Sequence, residues 1–181
     1  MNAWIQPLAR LRDLIFFRAG PQDMPYAPRA LIVLLIISAV PEVTFDLHQG
    51  NPPATIAAAN IGTLTALAAL FGLLRWRGKP ERFVQTALAL IATGLLFELI
   101  LLPLALVIGW PLPNNAPLNP RQTAALFAMF LLAVWQVAIS VNILRHSLEI
   151  PVAGGVLALL AIGFADLLGM AIVISMLGAG A

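Results

Sequence analysis

The amino-acid sequence predicts an all-α integral membrane protein: a five-transmembrane-helix bundle preceded by an N-terminal amphipathic helix lying in the membrane interface. Three observations predict it. Of the 181 residues, 61% are hydrophobic and 10% are charged, against roughly 45–50% and 25% in soluble domains. Five apolar stretches occupy about 30–46, 54–74, 83–108, 122–144 and 150–178, and a membrane-crossing helix needs roughly 17–25 such residues. Nine of the ten Lys and Arg fall on the segment before the first stretch and on alternate connections after it. Residues 1–29 thus form the interfacial segment and residues 30–181 the membrane domain.

Taken in order, the N-terminal segment places Trp4, Leu8, Leu11 and Ile15 at i, i+4, i+7 and i+11, within one narrow arc of a helix. Arg10 and Asp13 point elsewhere. Such a helix is an interfacial anchor, with its arginines facing anionic lipid, and the bilayer is its first partner. Gly20-Pro21 stops it, and Pro25 and Pro28 lead into the first span. That span has eleven uninterrupted apolar or small residues, Ala30 to Val40, before Pro41 and Glu42. Proline kinks a membrane helix without ending it, so the run is expected to continue through Val43 and Phe45. The connection from Trp110 to Pro120 holds four Pro and three Asn and reads as a stiff, extended loop.

Charge sets the orientation. Arg10, Arg12, Arg18 and Arg29 precede the first span. Arg75, Arg77, Lys79 and Arg82 join the second to the third, and Arg145 joins the fourth to the fifth. In a five-span chain these segments share one side, and only Arg121 lies opposite. The expected placement is a bacterial inner membrane, with the N-terminus cytoplasmic and the C-terminus external.

The search for chemistry is mostly negative. A chain without Cys has no disulfide scaffold, Cys-ligated metal, iron–sulfur cluster or thiol nucleophile. No Walker loop, GxGxxG or HExxH is present, and no Ser–His pair has a carboxylate at a recognised spacing. His48 and His146 fall near opposite faces, so they cannot share a metal or haem. A net charge of +2 gives no basis for nucleic-acid binding. No cofactor and no enzymatic activity are expected.

Intramembrane polar residues are the sharpest signal. Glu98 and Asp166 sit mid-way along the third and fifth spans, each costing roughly 2.5–3.5 kcal/mol at a bilayer centre. Counting about 1.5 Å per residue, both lie roughly 24 Å from the basic side, with Glu42 roughly 20 Å up the first span. Asn60 falls near the same height on the second. These four residues form a candidate polar layer with no Lys or Arg at its depth, so its carboxyls are protonated or paired outside the chain. Three uses stay open: a hydrogen-bonded structural layer, contact with a partner subunit, or a proton or cation relay. Small-xxx-small spacing at Ala58, Gly62 and Ala66, and at Ala161, Ala165 and Gly169, favours close helix packing. The segments LALIATGLLFEL (88–99) and LALLAIGFADL (157–167) echo each other, each with an acid near its end.

The short basic segment carrying RAGPQD, the five spans, and the Trp135 span running through ILRHSLEIP into the last helix together resemble the Yip-domain family, in particular its small five-span bacterial members. The resemblance implies a non-enzymatic role in organising, trafficking or assembling membrane proteins. The expected function is therefore an inner-membrane accessory, scaffold or assembly subunit that packs against other membrane proteins or against itself. The alternative is a small proton- or cation-coupled carrier using Glu98 and Asp166. The orientation is open to direct test because the chain has no Cys background. A cysteine placed at Gly78 should be shielded from an impermeant thiol reagent in intact cells, and one at Asn115 should react. The reverse pattern would overturn the orientation.

Overall fold

The computed structural model describes residues 5–48, 53–109 and 118–178. Every regular element among them is helical: α1 (Ile5–Ile15), α2 (Pro28–His48), α3 (Pro53–Trp76), α4 (Phe83–Ile108), α5 (Pro120–Leu148) and α6 (Val152–Gly178). Two single 3-10 turns, Pro21–Asp23 and Pro80–Arg82, precede α2 and α4. Four helices, α3 to α6, are long and apolar enough to cross a membrane. In α2 the apolar part runs only from Pro28 to Pro41, although the helix continues through Pro41 to His48.

Helix ends differ from the sequence expectation where capping extends them. The fourth span, expected over 122–144, runs from Pro120 to Leu148. At its start the Asn119 side chain accepts from the Gln122 backbone N–H, and the Gln122 side chain reaches back to the Asn119 N–H. This is a capping box with Pro at the first helical position. At its far end Glu149 adopts the left-handed conformation, φ 52°, and its N–H closes on the Arg145 carbonyl. Pro151 then begins the next helix at Val152 rather than at 150.

The turn between α3 and α4 staples the end of α5. Arg77 Nε donates to the Leu148 carbonyl, and Arg82 to the carbonyls of His146 and Ser147. Lys79 and Arg82 both pair with the Glu149 carboxylate, the latter at 2.7 Å. Cations at a helix C-terminus satisfy its last carbonyls and its dipole. Just inside, the buried Thr86 hydroxyl donates to Ser147 Oγ at 2.8 Å, and Ser147 donates to the Ile143 carbonyl. The end of the bundle where α3 and α5 finish is called the basic end below.

The core is a continuous apolar cluster including Leu31 of α2, Leu70 and Leu74 of α3, Leu88 and Phe97 of α4, and Ile139, Ile143 and Leu144 of α5. Helices α3 and α6 form the most extensive pair, followed by α4 with α5. Helix α2 packs chiefly on α4 and only lightly on α3.

The N-terminal segment folds onto this bundle. Gly20 donates to Asp23 Oδ2 at 2.8 Å, closing the 3-10 turn, and Gln85 of α4 donates to the carbonyls of Gln22 and Met24. The RAGPQD stretch is thus a turn pinned to the start of α4. The Trp135 indole donates to the Ile15 carbonyl at 3.2 Å and meets Phe16 edge-on. Trp135 lies about 20 Å along α5 from its basic end, so the end of α1 docks on the middle of α5. Leu11 and Ile15 of the expected anchor are half-buried, and Ile15 packs against the core. Leu14, about 60° round the helix from Leu11 and about 100° from Ile15, is 1% exposed. Trp4 lies outside the described residues, as does the Leu8 side chain.

Lys79 first, and then Arg82, holds the exposed Glu149 carboxyl below its ordinary value of 4.5. A carboxylate whose folded pKa is depressed stabilises the fold above its unfolded pKa, and this contribution disappears as pH falls through the folded value. Wild type is therefore expected to melt above Glu149→Gln at pH 7. The gap should close as the pH is lowered below about 4.3. A gap that is constant with pH would show that the ion pairs contribute nothing.

Candidate functional site: a groove between two opposed faces of α3

Helix α3 presents two working faces. At 100° per residue, Ala58, Gly62 and Thr65 fall on one side, and Asn60, Thr63 and Leu64 on the other. The first face meets α6. Gly62 and Gly169 are buried, and neither site has room for a side chain. A Cβ on Gly62 would stand 2.6 Å from Asp166 Oδ1 and 2.7 Å from Met170 Cγ. One on Gly169 would meet the Thr65 side chain, with Thr65 Cγ2 at 2.8 Å. Across this contact Thr65 Oγ1 reaches the Ala165 carbonyl at 3.0 Å, as well as the Gly62 carbonyl of its own helix at 2.7 Å. Two backbones pressed together by missing side chains and joined by a threonine hydroxyl are a membrane mode of helix packing.

The second face turns towards α2 and is not filled. Between the two helices lies a groove of about 300 Å³, with Leu35, Ser38 and Ala39 on one wall and Asn60, Thr63 and Leu64 on the other. Its polar side chains are tied to their own helices. Ser38 donates to the Leu35 carbonyl, Thr63 to the Ala59 carbonyl, and Asn60 Nδ2 to the Ile56 carbonyl at 2.9 Å. Each hydroxyl has thereby used its one hydrogen and keeps acceptor capacity. Asn60 keeps a second amide hydrogen and its Oδ1. Among the described residues the groove offers weakly polar walls, and the second Asn60 amide hydrogen is the donor left over, a setting for a hydrogen-bonding helix or small group.

The four residues of the expected polar layer lie at similar heights, about 21–24 Å from the basic end by helix count, but on four different helices and in different surroundings. Asn60 lines the groove. Asp166 presses on Gly62 inside the α3–α6 contact. Glu98 is half-buried beside the buried Phe97 on α4, and Phe97 in turn meets the Trp135 ring edge-on. Glu42 belongs to α2, and its side chain lies outside the described residues, as does that of His48. Helices α4 and α6 are not packed side by side, so Glu98 and Asp166 stand on non-neighbouring helices. No cluster of His, Cys, Asp and Glu able to hold a metal occurs among the described residues.

Sequence reasoning did not single out Ser38, Thr65 or Leu14. A signal existed for Thr65: it sits three residues after Gly62 on the small-residue face, where a hydroxyl can reach a neighbouring backbone. On the partner helix the expected stripe holds only in part, since Gly169 is buried and Ala165 half-buried while Ala161 is exposed. Compared with protein-family models, curated proteins and solved structures, the chain matches none.

Overfilling and hydrogen-bond loss should be separable at this interface. Gly169→Leu is expected to lower stability by about 1–3 kcal/mol through overpacking. Thr65→Val, which keeps shape and removes the hydroxyl, should cost about 0.6 kcal/mol, typical of membrane interhelical hydrogen bonds. Thermal melts in one detergent check both, and a neutral Gly169→Leu would mean that α3 and α6 are not in close contact.

Proposed function

We propose that the protein is a non-enzymatic accessory, scaffold or assembly subunit of the bacterial inner membrane. In this reading it crosses five times, with α2 as the first span, the basic end and the N-terminus in the cytoplasm, and the C-terminus outside. The observation that carries the reading is the α2–α3 groove. It lies between two helices that scarcely touch, and its Ser, Thr and Asn side chains are those that hold transmembrane helices together. Among the described residues, the Thr65 and Thr86 hydroxyls reach other helices of this chain, whereas the groove's Ser38 and Thr63 bond only their own helices. The resemblance to the Yip-domain family points to the same class of role.

The placement of the acids supports a scaffold over a carrier. A relay needs carboxyls that share a wet path, whereas Asp166 is wedged against Gly62 and Glu98 stands on a helix not packed on α6. With no nucleophile–base pair in the sequence, an enzymatic role has no candidate residues.

A photo-reactive residue in place of Leu64, at the groove rim, should form adducts with a membrane protein in native membranes. One in place of Leu160, on the exposed side of α6, should not. Glu98→Gln and Asp166→Asn should leave folding and the Leu64 adduct unchanged, because an amide keeps donor and acceptor without charge. Adducts from position 160 alone would overturn the scaffold reading. So would a proton flux in proteoliposomes that either amide variant abolishes.

A further inference from the structure

We propose that the occupant of the α2–α3 groove is the same groove of a second copy, so that the protein is a two-fold dimer with the Asn60 amides paired on its axis. This rests on the groove being a protein contact, as argued above. Three observations lead to it.

Helices α2 and α3 are antiparallel neighbours that scarcely touch, and the gap between them is lined by Leu35, Ala39 and Leu64 together with Ser38, Asn60 and Thr63. Two such hairpins placed groove to groove make a four-helix bundle. The residues that line an open cleft in one copy then become interior residues, as the packing of helices around a shared core requires.

Symmetry then selects what faces what. Copies inserted with one orientation are related by a two-fold axis along the membrane normal, and an isologous contact sets the same patch against itself. Every residue therefore lies level with its counterpart, and residues near the axis meet their own kind. Asn60 of one copy therefore lies level with Asn60 of the other, and no second sequence is needed to match its depth.

The chemistry of Asn60 is self-complementary. Its Nδ2 gives one hydrogen to the Ile56 carbonyl at 2.9 Å. One amide hydrogen and the Oδ1 acceptor remain, which is the set that two symmetry-related amides exchange reciprocally. A single buried Asn fixes register and two-fold pairing in coiled coils by the same means. Ser38 and Thr63 have donated inward and can only accept. Each copy thus brings one donor, and the other copy supplies its acceptor. An acyl chain in the groove would leave that donor without a partner.

The test uses the full-length chain and its lack of Cys. With a single cysteine at Leu64, oxidation in native membranes should give a covalent dimer, while a single cysteine at Leu160 should give none. In mild detergent the wild-type mass should be that of two copies. Asn60→Leu, folded by circular dichroism, should weaken the dimer roughly tenfold, the loss of two interhelical hydrogen bonds. An unchanged dimer in Asn60→Leu would overturn the proposal, as would a dimer cross-linked through position 160 and not 64. A monomer whose Leu64 position cross-links to a different protein would overturn it and leave the scaffold reading standing. A monomer with only lipid at that position would overturn both.

Discussion

The close approach of α3 and α6 is the constraint on which the rest of this bundle depends. Lipid tails are as apolar as leucine, so helices in a bilayer gain little by burying leucines against each other and associate through contact and hydrogen bonding. Gly62 and Gly169 let the two backbones meet, and the Thr65 hydroxyl joins them at the Ala165 carbonyl. Once that face of α3 is committed to α6, helical geometry turns Asn60, Thr63 and Leu64 the other way. They meet α2, which is held mainly by α4. The groove follows from these two attachments, because α3 is fixed to one neighbour and α2 to another.

Most of the fold was legible in the sequence because a membrane imposes one secondary structure on any apolar run. The four long spans were placed within a few residues, and the errors have local causes. Helix α5 gains two residues at its start from the Asn119–Gln122 capping box and four at its end from Arg77, Arg82 and Glu149. The capping box could have been read, since Asn-Pro-x-Gln before an apolar run is a helix start. The stapled end could not, because it depends on a turn more than sixty residues earlier in the chain. The polar layer was legible as a set of heights, since rise per residue is fixed, but not as a set of contacts. Which residues of a layer meet depends on which helices pack, and nothing in an Ala- and Leu-rich span states its neighbour.

The basic residues illustrate how one feature carries two meanings. Arg77, Lys79 and Arg82 enter the charge count from which an orientation is expected, and a count treats them as solvated. In the fold they are structural: two guanidinium groups lie on carbonyls at the end of α5, and Lys79 and Arg82 share Glu149. Arg29, Arg75 and Arg77 are all exposed at the basic ends of α2 and α3. The C-terminal end of a long helix thereby gains the cations that its dipole and free carbonyls call for.

The N-terminal segment and α2 bear on one another through the same logic. Leu14 is buried, Trp135 bonds the Ile15 carbonyl, and Gln85 bonds two carbonyls of the turn before α2. These hydrogen bonds attach the segment before α2 to α4 and α5. A helix whose apolar part ends at Pro41 is too short in that part to be held in a bilayer by hydrophobicity alone. Fastened at its base by the N-terminal turn and along its length by α4, it stands in place while its α3-facing side stays unfilled. The segment expected as an interfacial anchor thus also ties the start of α2 to α4, through the Gln85 amide on the carbonyls of Gln22 and Met24.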